Sequence, residues 1–174
     1  AGLVGAMGQL PRALELAQEL RGWAGGLGDA EHLFYLGRGL DYPLALEGSL
    51  KLKEISYIHS EALAAGELKH GAIALITEGT PVIALATQAD ILPKMVSGIR
   101  EVKARGAVVL ALAEEGSPLV AETADHVIWL PKAAGLVHPS LAIVPLQLFA
   151  YYVALLKGCD IDKPRNLAKS VTVE

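Results

Sequence analysis

The chain predicts an α/β fold in three layers, an αβα sandwich with a five-stranded parallel sheet flanked by helices. Short β-rich apolar runs alternate with longer helical segments along its 174 residues, the pattern of a parallel sheet with crossover helices. The composition is 52% hydrophobic and 20% charged, which suits a packed core and excludes a polar disordered chain. The length fits one domain able to bury most of a single core.

The elements follow in order. A first helix is expected over Leu10 to Trp23, stopped by Gly25-Gly26. His32 to Leu36 is a short aromatic and apolar strand closed by Gly37-Arg38-Gly39. A helix runs from Tyr42 to Ile58, with Pro43 in its first turn, where a missing N–H costs little. Ser60 to His70 reads as a short strand and then a helical turn. Pro81 to Ala86 and Ala107 to Leu112 are buried strands on either side of a helix over 91–105, and a short helix at Pro118 to Glu122 precedes the last strand, His126 to Leu130. Crossovers are expected to be right-handed. The apolar run Leu141 to Leu156 contains Pro145 and Gln147 and falls short of the roughly 20 residues that span a membrane. A buried helix is expected there, and no membrane. Residues 1–158 form the domain and 159–174 a polar tail.

Charge and cysteine usage narrow the function. The net charge is −4 and the 15 basic residues are dispersed, so no stripe exists to neutralise a phosphate backbone, and nucleic acid is excluded as a partner. Cys159 is the single cysteine, which fits a reducing cytoplasmic setting. The histidines at 32, 59, 70, 126 and 138 show no His-x-x-x-His spacing, so no metal site is expected. The opening Ala1-Gly2-Leu3-Val4 has no basic segment of the kind a signal peptide needs and reads as a boundary inside a longer chain.

Three places could carry chemistry. The turn Gly37 to Tyr42 joins a strand to a helix, where backbone N–H groups can meet an anion. Tyr42 stands where a dinucleotide fingerprint needs its third glycine, so a tight turn without ligand is the default. Glu47, Lys51 and Glu54 are spaced i, i+4, i+7 and share one narrow helical stripe. That stripe is either a solvated ion-pair face or a half-buried proton-transfer site. Leu44 and Ile55 border it on one side, Leu50 and Tyr57 on the other, and Ile58 falls within it, leaving Ser49, Lys53 and Ser56 to face solvent. Partial burial of that kind tunes carboxylates for acid–base work. His70 ends a loop beside Gly71 and is either solvated or a proton carrier near neutrality. The tail with Lys163, Arg165 and Lys169 reads on its own as a solvated end.

The segment LEGSLKLKEISYIHSEALAAGELKHG (46–71), the helix PLQLFAYYVALLKG (145–158) and the ending DKPRNLAKSVTVE (162–174) closely resemble the second sugar-isomerase (SIS) half of the glucosamine-6-phosphate synthase family. The resemblance covers nearly the whole chain and implies the SIS fold. It implies that fructose 6-phosphate is converted to glucosamine 6-phosphate with ammonia released from glutamine in a separate domain. Glu54 is then the base that shuttles a proton between C1 and C2, with Glu47 and Lys51 assisting in the same site. His70 helps open the sugar ring in the neighbouring subunit's site, and Lys169 forms the imine with the ketose carbonyl. Ala168, Lys169 and Glu54 contact substrate, no cofactor or metal is needed, and the protein is a cytoplasmic homodimer.

The departures count as well. The family's serine- and threonine-rich phosphate clamp is replaced by Thr87-Gln88-Ala89-Asp90, and neither a first SIS half nor a glutaminase domain is present. The fragment is therefore expected to be inactive alone. A non-catalytic sugar-phosphate-binding SIS module and a stand-alone phosphosugar isomerase remain the alternatives.

Overall fold

The computed structural model describes residues 8, 10–27, 30–132 and 138–165. The elements are α1 (Leu10–Glu15), α2 (Ala17–Gly26), β1 (His32–Gly37), α3 (Asp41–Ser56), β2 (His59–Ala64), two 3-10 turns (Leu68–His70 and Ala72–Leu75), β3 (Pro81–Ala86), α4 (Leu92–Lys103), β4 (Val108–Glu114), α5 (Pro118–Ala121), β5 (His126–Leu130) and α6 (His138–Leu156). The five strands form one sheet in the order β2-β1-β3-β4-β5, and every pairing is parallel.

Side chains of each strand alternate between the two faces of the sheet. Leu33 and Tyr35 of β1 enter a core with Leu20 of α2, Ala45 and Leu52 of α3, and Leu146 and Phe149 of α6. Phe34 and Leu36 enter a second core with Met95, Ile99 and Val102 of α4 and with Val120 of α5. Helices thus cover both faces, as the alternating pattern predicts. Two glycines set the spacing on the α3 side. A Cβ on Gly37 would stand 2.4 Å from the Asp41 carbonyl oxygen, so only glycine admits the tight turn into α3. A Cβ on Gly48 would meet the Tyr35 ring at 3.0 Å and Leu146 at 3.1 Å, which is how closely α3 lies on the sheet.

Four expectations need correction. The first helix is interrupted at Leu16. Ile58 lies beyond the end of α3, buried on the way into β2, and is no part of the helical stripe. Ser49 and Ser56 do not face solvent: they are 2% and 0% exposed, on the face that packs against the sheet. Their hydroxyls are satisfied there, Ser49 on the Ser60 carbonyl and hydroxyl, both at 3.0 Å, and Ser56 on the Leu52 carbonyl at 2.6 Å. A serine so bonded behaves as a small core residue. Finally, α6 begins at His138, so by length and composition its window Pro139–Leu156 matches a membrane span. Packing decides its role: Leu141, Ala142, Leu146, Phe149, Ala150, Val153 and Ala154 are buried within the domain.

Candidate functional site

Strand order reverses at β1, because β2 lies on one side of it and β3 on the other. In sheets of this kind ligands collect at that switch point, beyond the carboxyl ends of the strands. Here protein groups fill the crevice. Asp41, in the first turn of α3, is 2% exposed. It accepts the Thr87 N–H on one oxygen at 2.9 Å and the Thr87 hydroxyl on the other. Gln88 donates to the Arg38 carbonyl at 2.7 Å and accepts the Leu40 N–H at 3.3 Å. The residues that replace a phosphate clamp are therefore spent on holding the β1–α3 turn, and an internal carboxylate stands where an anion would be welcome.

The stripe further along α3 is differently placed. Lys51 Nζ lies 2.7 Å from Glu54 Oε2 and 3.8 Å from Glu47 Oε1. The side chains of Glu47, Lys51 and Glu54 are 42%, 33% and 26% exposed, so the trio is ion-paired and still open to an approaching group. The hydrogen bond to Glu54 raises the Lys51 pKa above the ordinary lysine value, against the opposing effect of desolvation, and the charges of Glu54 and Glu47 add to the rise. Lys51 is therefore a fixed cation at neutral pH and no nucleophile.

The chain returns to this end of α3 after α6. That helix stops at Gly158, whose φ of 69° suits glycine. Cys159 Sγ lies 3.9 Å from the Ser56 carbonyl, and Asp160 accepts the N–H groups of Asp162 and Lys163 at 3.0 and 2.9 Å. Arg165 then settles on Tyr57, its N–H donating to the phenol oxygen at 2.9 Å and its guanidinium lying 4.0 Å from the ring centroid. Tyr57 caps α3 in the left-handed region at φ 62°, where a bulky residue costs on the order of 1 kcal/mol. Sequence reasoning placed Tyr57 beside the stripe and missed its contact with the tail. Ala168 and Lys169 lie outside the described residues.

His70 is not part of this cluster. Its side chain is 74% exposed, with Nε2 3.7 Å from Glu67. It borders a cavity of about 320 Å³ with Tyr42, Glu61 and Glu67 at the other end of α3. At about 1.5 Å per residue, Tyr42, which shares that cavity, stands about 18 Å from Glu54 and about 7.5 Å from Glu47 along the helix axis. Among the described residues no group of three or more His, Cys, Asp or Glu side chains could hold a metal ion.

Residues 26–157 match the SIS domain model. The glutamine--fructose-6-phosphate aminotransferase [isomerizing] of Caldanaerobacter subterraneus subsp. tengcongensis is 62% identical over 84% of this chain and 24% of its own length. The enzyme of the same name from Symbiobacterium thermophilum is 52% identical over 100% of this chain and 29% of its own. The chain thus spans about a quarter of these relatives. The solved C-terminal domain of glucosamine-fructose-6-phosphate aminotransferase from Francisella tularensis superposes with a TM-score of 0.86 at 39% identity, over 92% of this chain and 45% of that one. Glucosamine-6-phosphate deaminase from Thermotoga maritima gives 0.75 at 26% identity, over 96% of this chain and 48% of that one.

Proposed function

Since the chain belongs to the SIS domain family, we propose that it is the C-terminal isomerase half of an enzyme that makes glucosamine 6-phosphate from fructose 6-phosphate and glutamine-derived ammonia. One observation carries this reading: the tail is fastened at Tyr57, one turn past Glu54. Lys169 is four residues beyond Arg165, and four residues can span up to about 14 Å, enough chain to bring its amine to the trio.

The roles follow from the chemistry available. Residues 159–174 act as a catalytic tail on the domain formed by 1–158. The Lys169 amine attacks the ketose carbonyl and releases water as the imine forms. Lys51, held protonated between two carboxylates, does not compete for that role. Ala168 lies against the bound sugar. Ammonia then displaces the lysine amine from C2, freeing Lys169 and leaving the sugar's own C2 imine. Glu54 takes the proton from C1 of that imine and returns it at C2, and the Lys51 cation, itself held by Glu47, steadies the carboxylate through the transfer. His70, which borders the cavity at the other end of α3, serves ring opening in a dimer partner's site. Leu46 and Leu50 lie exposed beside the stripe, and this apolar surface suits the first SIS half, which supplies the phosphate clamp. The setting is cytoplasmic, and without that half and the glutaminase domain the chain alone turns over little or nothing.

The test joins this chain, as C-terminal segment, to the rest of a full-length relative. Borohydride reduction in the presence of fructose 6-phosphate should leave the sugar on Lys169, and Lys169→Arg should abolish the adduct. Reduction onto Lys51 instead would refute the assignment.

A further inference from the structure

We propose that Tyr57 is a positioning residue that fixes where the tail leaves the fold; this rests on the reading of Lys169 as the imine-forming lysine. A helix that ends in a left-handed turn ordinarily ends on glycine. Tyr57 is the only non-glycine residue with positive φ among the described residues. Backbone strain of this kind persists where surrounding contacts hold it. The Tyr57 N–H bonds back to the Lys53 carbonyl at 3.2 Å, and its side chain is held by one residue of the tail. Arg165 grips the phenol twice, its backbone N–H at the hydroxyl and its guanidinium on the ring face. Bonded at both edge and face, Arg165 can neither slide along the ring nor turn away without losing one of the two contacts.

The consequence is geometric. With the latch closed, four residues separate Lys169 from the fastening at Arg165. With it open, the last fastening is the Asp160 cap on Lys163, six residues away. Effective concentration falls roughly as the −3/2 power of tether length, so opening the latch dilutes the amine at the trio about twofold.

Two measurements test this. Hydrogen exchange at the Arg165 amide is followed in this chain, wild type against Tyr57→Phe and Tyr57→Gly, together with the melting temperature. The rate of borohydride trapping is followed in the full-length enzyme carrying the same changes. Exchange should quicken in both variants, and trapping in Tyr57→Gly should slow about twofold. The melting temperature of Tyr57→Gly should hold or rise, because glycine relieves the left-handed turn. A merely structural tyrosine would instead lower melting temperature and trapping together. Unchanged exchange in Tyr57→Phe would mean that no latch exists. Faster exchange with unchanged trapping would mean that the tail takes its position from elsewhere. Absence of any Lys169 adduct in the wild type would overturn the catalytic reading and the positioning role together, leaving the exchange data to report a plain tether.

Discussion

At the first turn of α3, Asp41 is buried and both its oxygens are taken by Thr87. Near the last turn, Glu54 shares Lys51 with Glu47 and keeps about a quarter of its side chain in solvent. The same helix therefore carries a carboxylate committed to the fold and another left available. The difference lies in what can be replaced. Asp41 has neutral partners in a closed crevice and would strand them if it moved. Glu54 has a partly exposed cation as partner on one oxygen, and water or a substrate can reach the other. Availability, rather than the presence of a carboxylate, makes the second region the candidate site.

Substitutions at the two ends should therefore separate activity from stability. In the full-length enzyme, Glu54→Gln should slow proton exchange between sugar carbon and solvent by about 10²–10⁴-fold. Its stability to urea should change by no more than about 0.5 kcal/mol. Persistence of exchange in that variant would remove Glu54 from the chemistry. Asp41→Ala should do the reverse. It strands a buried N–H and hydroxyl on Thr87 and should cost about 3 kcal/mol in urea denaturation of this chain. A loss below about 1 kcal/mol would mean that the crevice is open to water.

The smallest effect concerns Lys51, whose raised pKa is a stability statement. A group with a higher pKa in the folded state stabilises fully below its unfolded value, about 10.4 for lysine, and loses that contribution as pH rises through the folded value. Wild type should keep a small, constant advantage over Lys51→Met from pH 7 to about pH 10. The advantage should shrink above that, as read by unfolding midpoints across the alkaline range. A gap that widens at high pH would contradict the ion-pair geometry.

Much of this was legible in the sequence. Four of the five strands follow from apolar runs, with Pro81–Ala86 and His126–Leu130 bounded as expected, because buried parallel strands read as short apolar blocks; β2, HSEALA, has no β-branched residue and no Phe, Tyr or Trp. The Glu47–Lys51–Glu54 stripe was visible because helical spacing alone puts the three together. The inward face of α3 was not. Serine counts as polar in any periodicity argument, yet Ser49 bonds to Ser60 of β2 and Ser56 to Leu52 within the helix, and both are as buried as core residues. Nor was the Tyr57–Arg165 contact legible, because it joins residues 108 apart and no local pattern encodes a tertiary latch. The Thr87–Asp41 bond was missed for the same reason, although the absence of clamp residues at Thr87–Asp90 pointed to the right loop.

The proposed mechanism requires the tail to deliver Lys169 to the trio end of α3. A nitroxide attached through Lys169→Cys, in a Cys159→Ser background, tests this by paramagnetic broadening of backbone amide signals. Amides from Lys51 to Tyr57 should broaden most, and those of the first turn, around Asp41, should stay sharp. Broadening centred on the Asp41 end, or confined to the tail itself, would contradict it.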